Sequence, residues 1–171
     1  MTGTPSPGGP PVRLVSTEWL AERLGSPDVM ILDVQPNVHD YILEHIPGAR
    51  YLSEGHFRTH SGDQPARFVP AEAAEPVIRE TGLRADVPVV VYTGVGAFKG
   101  WGDGLEQTMV AYSLARYGHE RVHVLDGGLD RWKAEGRPLS KEYPAAVRSD
   151  FRAAVRSDYV VDYGEFLRIK D

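Results

Sequence analysis

The residue with the greatest chemical promise is Thr93. It follows Val87-Pro88-Val89-Val90-Val91-Tyr92, whose β-branched residues predict a strand buried on both faces at the centre of a parallel sheet. It opens the stretch from Thr93 to Gly104, in which five of twelve residues are glycine (Gly94, Gly96, Gly100, Gly102 and Gly104). Glycines let the backbone turn sharply and approach a ligand closely. The apolar segment from Leu105 to Tyr117 then predicts a helix. A strand, a glycine loop and a helix start present free N–H groups that attract anions. Thr93, Gly94, Gly96, Lys99 and Gly100 are therefore candidates for an anion site. Asp103 opposes it, because a carboxylate at the helix start satisfies the dipole itself, so the expected binding is weak.

Other candidates carry less chemistry. His56 and His60 have the spacing of two metal ligands on a helix but lie in a loop-like stretch without a matching third donor, so no metal is expected. Asp33 and Asp126, each at the end of an apolar run, read as acceptors of backbone N–H groups at strand ends. The chain contains no cysteine, which removes disulfides, thiolate metal sites and a thiol nucleophile. A net charge of −5 and the absence of a basic run argue against nucleic acid as a partner. No cofactor is implied.

The elements that position these residues follow in order. Residues 1–12 are rich in Pro, Gly, Ser and Thr, without the apolar centre of a signal peptide or anchor, and are expected to be disordered. No later stretch is apolar enough to span a membrane, so a cytoplasmic location is expected. Leu14-Val15 predicts a short strand and Ser16-Thr17-Glu18 caps a helix over 19–24. Val29 to Val34 predicts a second strand, His39 to His45 a helical turn or two, and residues 49–52 a third strand. Residues 53–69 show no clear period and read as a long loop. A helix follows over 70–81, then the central strand, the helix from Leu105, a last strand Val122 to Leu125 and a helix over 129–135. This alternation predicts an α/β fold, a central parallel sheet with helices on both faces.

Three stretches in this order resemble one family. His45-Ile46-Pro47-Gly48-Ala49, preceded by Tyr41, is similar to the first signature of rhodanese-type sulfurtransferases. Leu125-Asp126-Gly127-Gly128-Leu129 with Trp132, preceded by Tyr117-Gly118-His119, is similar to the segment that closes their domain. Between them stands VVVY, at the base of the active-site loop, and Asp33 also matches. The resemblance covers residues 13 to 140. Most of these positions read as architecture: Pro47-Gly48 and Gly127-Gly128 as turns, Trp132 as core.

The resemblance also implies what the chain lacks. Active members carry a cysteine at the position of Thr93 and hold the transferred sulfur on it as a persulfide. A threonine hydroxyl ionises far less readily than a thiol and forms no exchangeable persulfide. Gln35 stands where an arginine often follows the matching aspartate, and only Lys99 offers a positive charge in the loop. The resemblance therefore implies a degenerate site that binds sulfate or thiosulfate at most weakly. Near the end, Val161-Asp162-Tyr163-Gly164-Glu165-Phe166-Leu167 repeats the pattern of Val15-Ser16-Thr17-Glu18-Trp19-Leu20 with one extra residue. Two-domain sulfurtransferases are tandem copies in which the first lacks the cysteine, and this chain looks like such a first copy. The expected division is a domain over 13–140, a linker over 141–158 and the start of a second copy over 159–171. The AAVRSD repeat at 145–150 and 153–158 reads as a solvated spacer, and segment 141–171 as dispensable for stability. The expected partner is a cysteine-bearing copy, in cis or in trans. Two other functions fit the loop: a dinucleotide-binding module, from Gly94-x-Gly96-x-x-x-Gly100 after a strand, and an interaction module using Phe98, Lys99 and Trp101.

Overall fold

Continuous apolar runs separated by helical segments fold into a five-stranded parallel sheet covered on both faces. The computed structural model describes residues 12–96, 104–145, 147–159, 161 and 163–170. Strand β1 (Val12–Val15) leads into helix α1 (Thr17–Ala21), β2 (Met30–Asp33), α2 (Val38–Leu43) and β3 (Arg50–Tyr51). A hairpin of β4 (Arg58–Ser61) and β5 (Gln64–Phe68) precedes α3 (Ala71–Glu80), β6 (Val89–Tyr92), α4 (Leu105–Arg116), β7 (Val122–Leu125) and α5 (Gly128–Ala134). The last element is α6 (Tyr163–Ile169). The strand order is β1-β7-β6-β2-β3, all pairs parallel.

Strand β6 is central, and all four of its residues are buried. Its side chains alternate between two cores, as the two-residue period of a strand requires. Val89 and Val91 join Leu32, Val122 and Val124 on the face covered by α3 and α4, through Ala74, Ile78, Val110 and Leu114. Val90 and Tyr92 join Ile31 and Leu125 on the other face, against Leu20 of α1 and Leu129 and Trp132 of α5. Helix α1 is shorter than the predicted 19–24, with Ser16 as its cap, the hydroxyl accepting the N–H of Trp19 at 3.2 Å.

Two expectations are corrected. Residues 53–69 are not a long loop: a 3-10 turn over Glu54–Phe57 runs into the β4–β5 hairpin. Gly62 and Asp63 make its two-residue turn, with Gly62 at φ +61°, and Gly-Asp is a known hairpin signal. The hairpin lacks an apolar alternation because it is exposed along most of its length and anchors only at its base, through the buried Phe57 and through Phe68 under the Arg58 guanidinium. The second correction concerns the AAVRSD repeat, which is not a solvated spacer. Ser149 exchanges two hydrogen bonds with Arg79, its N–H to the Arg79 carbonyl and its carbonyl from Arg79 Nε. Phe151 is 2% exposed and belongs to the core above α3 and α4. Ala154 and Arg156 donate backbone N–H groups to the carbonyls of Tyr117 and Arg116. This strap ties residues 149–156 to the domain by hydrogen bonds and a core contact.

The apolar residues of α6 are all exposed: Tyr163 is 76% exposed, Phe166 53% and Ile169 63%. Among the described residues no helix is long and apolar enough to cross a membrane.

Candidate functional site

The buried β6 delivers Thr93 to the carboxyl end of the sheet, between the ends of β2 and β7. In open α/β sheets ligands bind outside this edge. Thr93 is 4% exposed, and its hydroxyl oxygen is buried with no hydrogen-bond partner among the described residues. Its carbonyl accepts the N–H of Leu129 at 2.9 Å. Gly128, at φ +54°, passes so close to that carbonyl that a Cβ there would collide with the oxygen. The Gly127-Gly128 turn is thus needed both for its left-handed backbone and for this approach.

Two N–H groups of this segment, one of them on the candidate Thr93, are occupied from within. Thr93 N–H donates to Oε1 of Gln107, on the first turns of α4, at 3.3 Å. Val95 N–H donates to Oδ2 of Asp130, on α5, at 2.9 Å. Gly94 packs against Leu129, and Gly96, at φ +75°, lies against the buried Asp40, whose Oδ2 would be 2.5 Å from a Cβ. Beside these residues is a cleft of ≈ 220 Å³ lined by Gln35, Asp40, Leu43, Glu44, Val95, Gly96, Leu129, Asp130 and Lys133. Among the described lining residues the one cation, Lys133, pairs with Glu44 of the same cleft. That described lining is acidic, which is unsuited to a free sulfur anion. Lys99 and Gly100, with Phe98, Trp101 and Asp103, lie outside the described residues.

The other matching positions are architectural. Asp33 is fully buried and accepts the Gln35 backbone N–H at 2.9 Å and Gln35 Nε2 at 3.1 Å. Burial pushes its carboxyl up to about 6, against the opposing pull of hydrogen bonds from Tyr92 and Gln35 and of the charge of His45. Gln35 therefore serves Asp33 and presents no charge to a ligand. His45 is buried, its ring stacked on Tyr41 at 4.2 Å, with Nδ1 2.8 Å from the Tyr41 carbonyl and Nε2 3.1 Å from that of Glu142. Gly48 takes φ +81° after Pro47 and closes a turn in which Ala49 N–H reaches the Ile46 carbonyl. Trp132 is fully buried in the core and donates Nε1–H to the Pro138 carbonyl. Asp126 differs from its expected role: its carboxylate takes an exposed ion pair with Arg131 at 2.9 Å rather than a backbone N–H.

His56 lies in the 3-10 turn and His60 on β4, and among the described residues no group of three or more metal-ligating side chains is placed to hold an ion. Another cleft, ≈ 950 Å³, lies at the opposite edge of the sheet, before β2 and β6. Its Arg84 and Arg148 are paired with Asp86 and Glu80, so it offers no uncompensated cation from these two. Sequence reasoning missed Gln107 and Asp130. Asp130 reads as an ordinary acid in the first turn of a helix, and nothing local ties it to a loop 35 residues earlier.

A family model described as a rhodanese-like domain matches residues 16–135. The chain is 37% identical over 128 residues to a thiosulfate sulfurtransferase of Azotobacter vinelandii, covering 74% of this chain and 44% of that protein. It is 30% identical over 155 residues to the sulfur carrier protein TtuD of Thermus thermophilus, covering 90% and 50%. The crystal structure of SseA from Escherichia coli, a 3-mercaptopyruvate sulfotransferase, superposes with a TM-score of 0.79 at 25% identity, over 92% of this chain and 61% of that one. The chain spans about half the length of the curated relatives it matches.

Proposed function

We propose that this chain, which belongs to the rhodanese-like domain family, is the non-catalytic half of a sulfurtransferase of the thiosulfate or 3-mercaptopyruvate type. One observation carries the reading: the residue at the end of β6 is Thr93, in a chain with no cysteine. Sulfur transfer through a persulfide requires a thiolate, and no side chain here supplies one. Its role is then structural or regulatory, as the surface on which a cysteine-bearing copy is built, in cis or in trans. Three features support that partner. The relatives are about twice as long, Val161 to Leu167 repeats the pattern of Val15 to Leu20, and α6 presents Phe166 and Ile169 to solvent. The cytoplasm suits this role, because a partner's thiol stays reduced there.

The test is sulfur transfer from thiosulfate to cyanide by the purified chain. The expected result is no turnover above a no-protein control, and turnover that survives repurification overturns the reading. Thr93→Cys is expected to restore little, because the Thr93 and Val95 amides that would stabilise a sulfur anion already donate to Gln107 and Asp130. Co-expression with a cysteine-bearing rhodanese domain tests the partnership: the two are expected to co-purify, with the α6 amides becoming protected. An interaction module of another kind would bind without conferring transfer. The dinucleotide reading has less support, since a pyrophosphate would need the same two amides.

A further inference from the structure

The end of β6 combines backbone donors, a buried hydroxyl without a partner among the described residues and a carboxylate arriving from a different element. Val95 N–H meets Asp130 Oδ2 at 2.9 Å and Thr93 N–H meets Gln107 Oε1 at 3.3 Å. The Thr93 hydroxyl lies buried at the start of the same segment. Two amides, of Thr93 and Val95, therefore donate to oxygen atoms brought by two helices that follow them in the chain. A carboxylate oxygen on a backbone N–H is the contact an oxyanion makes, and an ionised acceptor makes it about twice as strong as a neutral one. We propose that Thr93–Gly96 is an oxyanion cradle whose occupant in this chain is the Asp130 carboxylate, an internal ligand that excludes external tetrahedral anions such as sulfate.

The charges around the segment give the exclusion its sense. An incoming sulfate would have to displace Asp130 from Val95 and then share the cleft with Asp40, Glu44 and the displaced carboxylate, while the one lysine among its described lining residues, Lys133, is engaged by Glu44. Like charges at this range disfavour entry. Asp130 is itself exposed, so removing its carboxylate leaves the Val95 N–H open to solvent rather than to a sealed void. Gly94 contributes room, since a Cβ there would come within 3.0 Å of Leu129 and 3.6 Å of Asp130 Oδ2. The inference rests on the reading of Thr93 as a degenerate sulfur site, and adds the reason why that site is closed to anions as well as unable to react.

Sodium sulfate is the probe, titrated at constant ionic strength with chloride as the balancing salt and read at the ¹⁵N-labelled Val95 amide. The parent chain is expected to show no saturable shift. Asp130→Ala is expected to bind sulfate at least about tenfold more tightly, with saturation at Val95 and Thr93. Asp130→Asn keeps an acceptor for Val95 but drops the charge, and its affinity is expected between the two. If Asp130→Ala fails to fold, the Asn variant decides, tighter sulfate binding than the parent supporting the cradle. Equal shifts in parent and variants, or no saturable shift in either variant, overturn it and leave Asp130 as a fastener between the loop and α5. Sulfur transfer by the parent, measured separately, bears on the non-catalytic reading and not on this result, so the two can fail independently.

Discussion

Helices α1 and α6 begin with nearly the same words and end in opposite environments. Val15, Glu18, Trp19 and Leu20 at the start of the domain correspond to Val161, Glu165, Phe166 and Leu167 in the tail. In α1, Leu20 is fully buried against α5, and the Thr17 hydroxyl donates to Glu135 at 2.5 Å. In α6 no residue is buried, and Leu167 is 40% exposed. The pattern is a request for a surface, which the rhodanese-like domain answers at α1 with its own sheet and α5. A short helix cannot recover its ordering entropy without such a surface. The same amphipathic signal is therefore a core element in one place and an unfilled contact in the other.

The sharpest challenge to this contrast comes from the strap between the two helices. Phe151→Ala is expected to cost about 3–5 kcal/mol in urea unfolding, because its ring is part of the core. A cost near zero would move the boundary of the folded unit back toward residue 140 and make the strap a spacer after all. Next, Leu20→Ala is expected to cost about 2–5 kcal/mol and Leu167→Ala no more than about 0.5 kcal/mol. Equal losses would erase the comparison. Acidity separates the two regions in another way. Asp33 is raised to about 6 from its ordinary 3.8, so it binds its proton more tightly in the folded than in the unfolded chain. Its contribution to stability is complete below about pH 3.8 and is lost as pH rises through 6, on the order of 3 kcal/mol. Asp33→Asn is expected to flatten that part of the stability curve. A chain ending at Tyr159 is expected to keep it, since the groups that shift Asp33 all lie within the domain. The smallest effect is the last: that truncation lowers the melting temperature little, while α6 amides in the parent exchange far faster than those of Val89 to Tyr92. Protection of α6 equal to that of β6 would make the tail an integral element.

Much of this architecture is legible because it rests on local signals. The runs at Val29 and Val87 are too apolar for anything but strands buried on both faces, and Pro47-Gly48 and Gly127-Gly128 mark turns whose backbone only glycine adopts at ease. The absence of a thiol needs no structure at all. Other features depend on distance along the chain. The Gly62-Asp63 turn was readable, but the strands on either side bury no face, so hydrophobic periodicity was silent. Phe151 is a single aromatic in a polar, repetitive segment, and only the site where it lands makes it core. Asp130 closes the loop after Thr93 through a contact that neither stretch announces.

The pairing of β1 with β7 has a kinetic consequence. Val12 lies beside Val122, whereas Val89, on the neighbouring strand, also lies beside Val122 from much nearer in the chain. Closing the longer loop carries the larger entropic cost, and contacts between residues far apart in sequence slow folding. Of the strands of this sheet, β1 is synthesised first and is therefore expected among the last to be placed. Until β7 arrives, β1 waits as an unpaired segment, and β7 in turn first presents an open edge that accepts any strand of similar pattern. If a second copy follows on the same chain, its opening strand competes for that edge, and the order of synthesis favours the correct one.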